Sequence, residues 1–319
     1  MRILDAQTTR EALPFERLVA ALRAMFAAGC EVPPRHVHEI VTPGGDALVS
    51  LIMPAWTARH YGIKTINIAP GNAARGLPGL HAAYLLFDAA TGVPLALLDG
   101  SVITSRRTAA ASALAASWLA RDDARHLLLV GAGAIARLLP AAYRTVRPIE
   151  RVTVWARRPE AAQALAAELR AQDFDAVAAT DLAAAVAGAD IVSCATLATE
   201  PIVRGRWLRA GSHLDLIGSF TPAMREADDA CFAGAALYVD IDEALQKSGE
   251  LLGPMSRGVF ERADVRGTLA ALARGEAPGR RSRTERTVFK SVGTALEDLA
   301  AATLACGARL GIDADPEAG

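Results

Sequence analysis

At 319 residues, 52% of them apolar, the chain is long enough to bury a sizeable core, and at about 150 residues per domain it is predicted to form two domains. Thirty-four basic residues balance 35 acidic ones, which excludes the net field that draws a protein to nucleic acid or an anionic membrane and favours a small, neutral or zwitterionic partner. Cys30, Cys194, Cys231 and Cys306 are widely spaced, which argues against a zinc site or a disulfide framework; with no leader-like N-terminus and no uncharged apolar stretch of roughly 18 residues, a soluble, cytoplasmic protein with reduced thiols is expected.

In chain order, apolar residues at Leu18, Leu22, Met25 and Phe26 predict a helix from about Phe15 to Ala28. Strand-like runs follow from Ala47 to Met53, Lys64 to Ala69 and Ala82 to Phe87. A turn over Asp88 to Gly92 joins the last to a returning run, Pro94 to Leu98, and the pair reads as a hairpin. His36 and His38, two residues apart, share one face of a strand; with no third ligand in view they predict packing and no metal. From Thr104 to Leu119 the small-residue run predicts a helix with a Thr or Ser cap, connecting the two halves.

After Asp122-Asp123 the pattern changes to short apolar strands alternating with alanine-rich helices. The strands run from Arg125 to Val130, Arg151 to Trp155, Asp190 to Ala195, His213 to Ile217 and Leu237 to Ile241; helices reach to Tyr143 and from Glu160 to Ala171. Continuous apolar strands between helices imply a parallel sheet covered on both faces, so an α/β, doubly wound domain is predicted. The stretch from Gly275 to Arg286 reads as a polar, basic, solvated connection, and Thr287 to Leu310 as one helix with apolar positions at Val288, Val292, Leu296, Leu299 and Leu304.

The run LLLVGAGAIA carries the strongest local signal. Gly131, Ala132 and Gly133, followed by Ala134 and Ile135, come directly after an apolar strand and at the start of a helix, where backbone amides and the helix dipole favour a pyrophosphate. Ala136 fills the third glycine position, which serves helix packing and tolerates alanine. The next strand ends about 25 residues after the turn, where an acid would accept hydrogen bonds from the ribose 2′-hydroxyl of NAD. Ala156 stands there instead, followed by Arg157 and Arg158, a pair suited to a 2′-phosphate. NADP(H) is therefore favoured, with NAD(H) the alternative.

Only Lys64, Lys247 and Lys290 of the 34 basic residues are lysines. Because an ammonium, unlike a guanidinium, gives up its proton when its pKa is lowered, these lysines are candidates for chemistry, or else chance survivors. No G-x-S-x-G, H-E-x-x-H or P-loop is present, so hydrolase, zincin and kinase readings lack support.

Over nearly its whole length the chain resembles the ornithine cyclodeaminases and mu-crystallins. The matching blocks are PPR at Arg35, GIK at Lys64, GLPG at 76–79, LLFDAATGVPLALLDGSVITSRRTAAASALAA, GAGAIA, GSHLDLIGSF and VFKSVGTALEDLAAA. The resemblance implies a homodimer. Residues 1–118 with 288–319 would form an α+β substrate-binding and dimerisation domain, and 119–287 a Rossmann domain. It further implies that Arg35 and Arg107 hold a substrate carboxylate through charge-assisted bonds. Lys64 would stand at the reacting carbon, donating a proton to, or electrostatically steadying, the imine and amine nitrogen. Thr108, Thr196, Lys290 and Ser291 match blocks that lie along the cofactor in this family, although Lys290 reads equally as a helix-surface charge.

Two departures bear on the activity. Where cyclodeaminases of this family carry an aspartate after the GSHLDLIG-like strand, this chain has Phe220, and where they carry a glutamate before the early Met-Pro it has Leu51. Reduction of a cyclic imino acid needs only a carboxylate clamp, one proton donor and a hydride, so an NAD(P)H-dependent ketimine reductase is expected. The alternatives are an ornithine cyclodeaminase that recycles its NAD, a dehydrogenase resembling alanine dehydrogenase, and a non-catalytic NADP-linked binding protein.

Overall fold

The computed structural model describes residues 1–41 and 47–310. In chain order its regular elements begin with β1 (Arg2–Leu4), α1 (Ala6–Glu11), α2 (Phe15–Ala28), β2 (His36–Val41), β3 (Ala47–Trp56), β4 (His60–Ile68), β5 (Leu80–Asp88), β6 (Pro94–Asp99) and α3 (Gly100–Leu119). They continue with β7 (His126–Val130), α4 (Leu139–Arg144), β8 (Arg151–Trp155), α5 (Pro159–Arg170), β9 (Asp175–Ala178), α6 (Leu182–Gly188), β10 (Ile191–Cys194) and β11 (His213–Leu216). The last are β12 (Ala236–Val239), α7 (Ala244–Lys247), α8 (Gly249–Ser256), β13 (Val265–Thr268), α9 (Leu269–Ala273), β14 (Thr287–Lys290) and α10 (Ala295–Leu310). The chain divides into two compact units, Met1–Arg107 with Thr294–Gly319, and Thr108–Gly293. The first division therefore falls inside α3, and the second just after β14.

In the first unit the described strands form one sheet in the order β1-β6-β5-β4-β3-β2. Its pairs are antiparallel except β1 with β6. The hairpin read from the sequence is β5–β6, with Tyr84 opposite Leu98. Helix α2 has the expected span and buries Leu18, Val19, Leu22 and Phe26; α10 packs against it and against β3, β4 and β5. Helix α3 starts four residues earlier than its composition suggested, and its cap is not a Thr or Ser. Asp99 Oδ1 accepts from the Val102 amide at 2.8 Å, while the Thr104 and Ser105 hydroxyls donate back to the carbonyls of Gly100 and Ser101.

The second unit is the expected doubly wound α/β domain. Its parallel sheet runs β13-β12-β14-β11-β10-β7-β8-β9. Leu127, Leu128, Leu129 and Val130 on β7, Ile191 and Val192 on β10 and Leu214 and Leu216 on β11 are buried, as strands covered on both faces must be. Strand order reverses between β7 and β10, which places a topological switch point at their carboxyl ends.

Two expectations are corrected here. The stretch read as one helix from Thr287 to Leu310 is a strand followed by a helix. Thr287, Val288, Phe289 and Lys290 are all buried between β11 and β12, and Gly293, at φ +77°, separates them from α10. An apolar i, i+4 spacing does not distinguish four buried strand residues from a helical turn. The helix after the glycine turn is also shorter than expected. Hydrogen-bonded turns occupy residues 134–138 and α4 starts at Leu139, because Pro140 has no amide to give to a preceding helical turn and fits only the first. The basic stretch before β14 is a loop, but one pinned by Arg280, which donates to the carbonyls of Leu119 and Ser212 and to Thr287 Oγ1.

Candidate active site

Alternation along β4 buries Gly62, Lys64 and Ile66, and Lys64 meets the first turn of α10. Its Nζ lies 2.6 Å from Asp298 Oδ2, and both side chains are fully buried. The approach is an ion pair outside hydrogen-bond alignment. Arg107, on α3, donates from Nε to Asp298 Oδ1 at 3.0 Å and from Nη1 to Glu297 Oε2 at 2.5 Å. Among the described residues, Lys64 and Arg107 thus face Asp298 and Glu297 in a buried cluster, paired as buried charges usually are. Burial draws the Lys64 ammonium down to about 8, opposed by Asp298 and reinforced by Arg107.

Arg35 is half-buried directly before β2. His36 pairs with Ile52, and in the next row Met53 pairs with Lys64, which in turn pairs with Tyr84. Arg35 therefore enters the sheet at the level of Lys64, two strands away. His36 and His38 stand on β2 with rings parallel at 6.5 Å, and no cluster of metal-ligating side chains occurs among the described residues.

In the second unit the glycine turn has a form that suits a pyrophosphate. Gly131 has φ +116°, and a Cβ there would lie 2.6 Å from the Ala195 carbonyl oxygen, so only glycine fits. Its amide donates to the Trp155 carbonyl at 2.8 Å. A Cβ at Gly133 would meet nothing within 4 Å, which leaves the backbone of Gly133 open to close approach by a ligand. Ala132 and Ile135 are half-buried, Ala134 is exposed, and Ala136 is buried beneath the turn. Arg157 and Arg158 are exposed beyond the end of β8, Arg158 at the N-cap position of α5 without a side-chain capping bond. Thr108 is half-buried on α3 and Thr196 half-buried after β10.

Lys290 lies inside the second unit, not on a helix surface. It is fully buried on β14 with Nζ 2.9 Å from the Leu216 carbonyl, which also accepts from the Ser291 amide. Burial lowers its pKa, against the opposing fields of Glu226, Glu250, Asp240 and Asp215. Phe220, at 47% exposure, is among the exposed large apolar side chains of this unit, and Leu51 is half-buried on β3.

The sequence reading missed Glu297 and Asp298. Acids in the first turn of a helix usually serve its dipole, and here that position hid two buried counter-ions. Their signal was an adjacent carboxylate pair heading an otherwise apolar, alanine-rich helix. It also missed Asp215, Glu226, Asp240 and Glu250, which are far apart in sequence and converge only through the parallel sheet.

The sequence profile described as the Ornithine cyclodeaminase/mu-crystallin family matches residues 9–307. A protein of Paracoccus denitrificans named delta(1)-pyrroline-2-carboxylate reductase is 51% identical over 241 residues, covering 75% of this chain and 76% of its own length. Among solved structures, the delta(1)-pyrroline-2-carboxylate reductase of Thermococcus litoralis, in complex with NADH and L-proline, superposes with a TM-score of 0.91 at 32% identity over 98% of both chains. An archaeal alanine dehydrogenase dimer with bound NAD superposes at 0.89 with 28% identity, over 98% of this chain and 97% of its own. With its sheet order, glycine turn and buried lysine cluster, the chain belongs to the ornithine cyclodeaminase/mu-crystallin family.

Proposed function

We propose that the chain is an NAD(P)H-dependent reductase of a small cyclic imino acid of the pyrroline-2-carboxylate type. The observation that carries this reading is Lys64, a fully buried ammonium drawn to about 8 and paired with Asp298, the carboxylate it shares with Arg107. A proton donor for a C=N nitrogen should titrate near the working pH and be shielded from water, and Lys64 meets both conditions. The names of the Paracoccus and Thermococcus proteins, and the proline bound in the latter, support the same substrate class.

Gly131 to Ile135 with Thr196 and Thr108 would hold the dinucleotide, which when bound supplies the hydride. Arg107, its plane fixed by Glu297 and Asp298, and Arg35 orient the substrate carboxylate. Lys64 holds a proton at the ring nitrogen, where one is gained as the adjacent carbon is reduced. Asp298 keeps the Lys64 ammonium charged against its burial. Arg157 and Arg158 favour NADPH over NADH, and Lys290 acts as the counter-charge of the buried acids. A homodimer is supported by β2, an edge strand exposed along its whole length with Val37, Ile40 and Val41 open to solvent. Four free cysteines suit a reducing cytoplasm, and no described helix is long and apolar enough to cross a membrane.

The test is a loss of absorbance at 340 nm when the protein is mixed with NADPH or NADH and pyrroline-2-carboxylate or its six-membered homologue. Silence with every cyclic imine, alongside proline and ammonia released from ornithine with catalytic NAD, would replace this reading with a cyclodeaminase.

A further inference from the structure

Glu226, in the loop between β11 and β12, is fully buried yet fully bonded. Its Oε1 accepts from the amide and the hydroxyl of Thr196, both at 2.7 Å, and its Oε2 accepts from the Gly218 amide at 2.7 Å. Its own amide donates to Glu250 Oε2 at 2.7 Å, and its carbonyl accepts from the amides of Ile202 and Val203. Thr196 follows β10 and Gly218 follows β11, so one carboxylate ties together the loops leaving two adjacent strands at their carboxyl ends. The packing is too close for any other side chain at 218, since a Cβ there would lie 2.0 Å from the Thr196 carbonyl and 2.5 Å from Glu226 Oε1. Thr196 in turn touches the glycine turn: a Cβ at Gly131 would lie 3.3 Å from Thr196 Cγ2 and 2.6 Å from the Ala195 carbonyl.

We infer that Glu226 is a positioning residue for the dinucleotide, fixing the Thr196 and Gly218 loops against the turn at Gly131. The inference rests on the reading of that turn as a dinucleotide site. A chain of contacts runs from the Glu226 carboxylate through Thr196 to Gly131 without Glu226 touching the ligand. Only a carboxylate satisfies three donors from two loops at once. Protonation makes one of its oxygens a donor, which then opposes either the Thr196 or the Gly218 amide, and a glutamine amide does the same.

This gives the device a pH signature. Burial raises Glu226 to about 7, against the lowering fields of Lys290 and the Thr196 bonds and with a raising one from Glu250. Other titratable groups in the same interior include Asp215 on β11 and Asp240 directly after β12, both raised by burial, and Cys194 on β10 and Tyr143 on α4, both raised well above their usual values. The loops are held by the ionised form, so dinucleotide affinity should fall as pH drops through about 7.

The experiment is a titration of the purified full chain with NADH, followed by its fluorescence, from pH 6 to pH 8.5. NADH is the probe because the 2′-phosphate of NADPH titrates near pH 6 itself. The wild-type chain is expected to bind roughly tenfold more weakly at the acid end. Glu226→Gln is expected to show that weaker affinity at every pH, with its melting temperature measured alongside and with KM for the imino acid at saturating NADH within twofold of wild type. Thr196→Val, which deletes one of the three bonds and keeps the methyl against Gly131, is expected to fall between them and serves if Glu226→Gln does not fold. Wild-type affinity that is flat or rises on acidification would overturn the inference, the latter exposing simple repulsion between carboxylate and pyrophosphate. So would Glu226→Gln binding with wild-type affinity and a lower melting temperature, the mark of a merely structural group. A wild-type chain that binds neither NADH nor NADPH would instead overturn the dinucleotide reading itself, and this inference with it.

Discussion

Asp298 bridges Lys64 and Arg107 in the first unit, with Oδ2 2.6 Å from Lys64 Nζ and Oδ1 3.0 Å from Arg107 Nε. The proposed proton donor and the proposed carboxylate clamp therefore share one counter-ion, which bears on the charge of Lys64 and on the plane of Arg107.

Removing the ammonium should stop the reaction and spare the cofactor. Lys64→Ala is expected to lower kcat by about a hundred- to ten-thousand-fold while NADPH binding, read by fluorescence titration, stays within twofold. Retained turnover would remove Lys64 from the chemistry.

The pH dependence follows from the direction of the Lys64 shift. Its proton is lost as pH rises through about 8, so kcat/KM for imine reduction should fall on the alkaline side of about pH 8. A profile still rising at pH 10 would mean that the donor is another group.

Asp298→Asn tests the coupling. Asp298 raises the Lys64 pKa, so its loss should move the alkaline limb of the profile to lower pH. It also leaves buried cations short of a counter-charge, which is expected to destabilise the fold by about 3 kcal/mol or more in a denaturant titration. An unmoved limb would show that Asp298 serves Arg107 alone.

The cofactor preference is testable at the surface. Arg157→Ser with Arg158→Ser is expected to weaken NADPH binding about tenfold and leave NADH binding unchanged. Equal losses for both dinucleotides would mean that the arginines do not read a 2′-phosphate.

Tyr84 lies opposite Lys64 with its hydroxyl buried and no hydrogen-bond partner among the described residues. Tyr84→Phe removes an unsatisfied polar atom and is expected to stabilise the chain by about 1 kcal/mol, measured by thermal or chemical unfolding.

The amino-acid sequence alone determined what is local or repeated. Uninterrupted apolar runs such as Leu127–Val130 specified a parallel sheet, Gly131 and Gly133 specified the turn, and a preference for arginine made the few lysines conspicuous; two of the three, Lys64 and Lys290, are fully buried. Where two structures share one short-range pattern, sequence misled. Val288 and Val292 have helical spacing, yet Val288 is on a central strand, paired with Leu214 on β11 and Leu237 on β12. The tertiary structure alone decided the electrostatics. Lys64 and Asp298, like Glu226 and Thr196, are brought together by chain topology, and only burial makes their pairing strong enough to move a proton equilibrium.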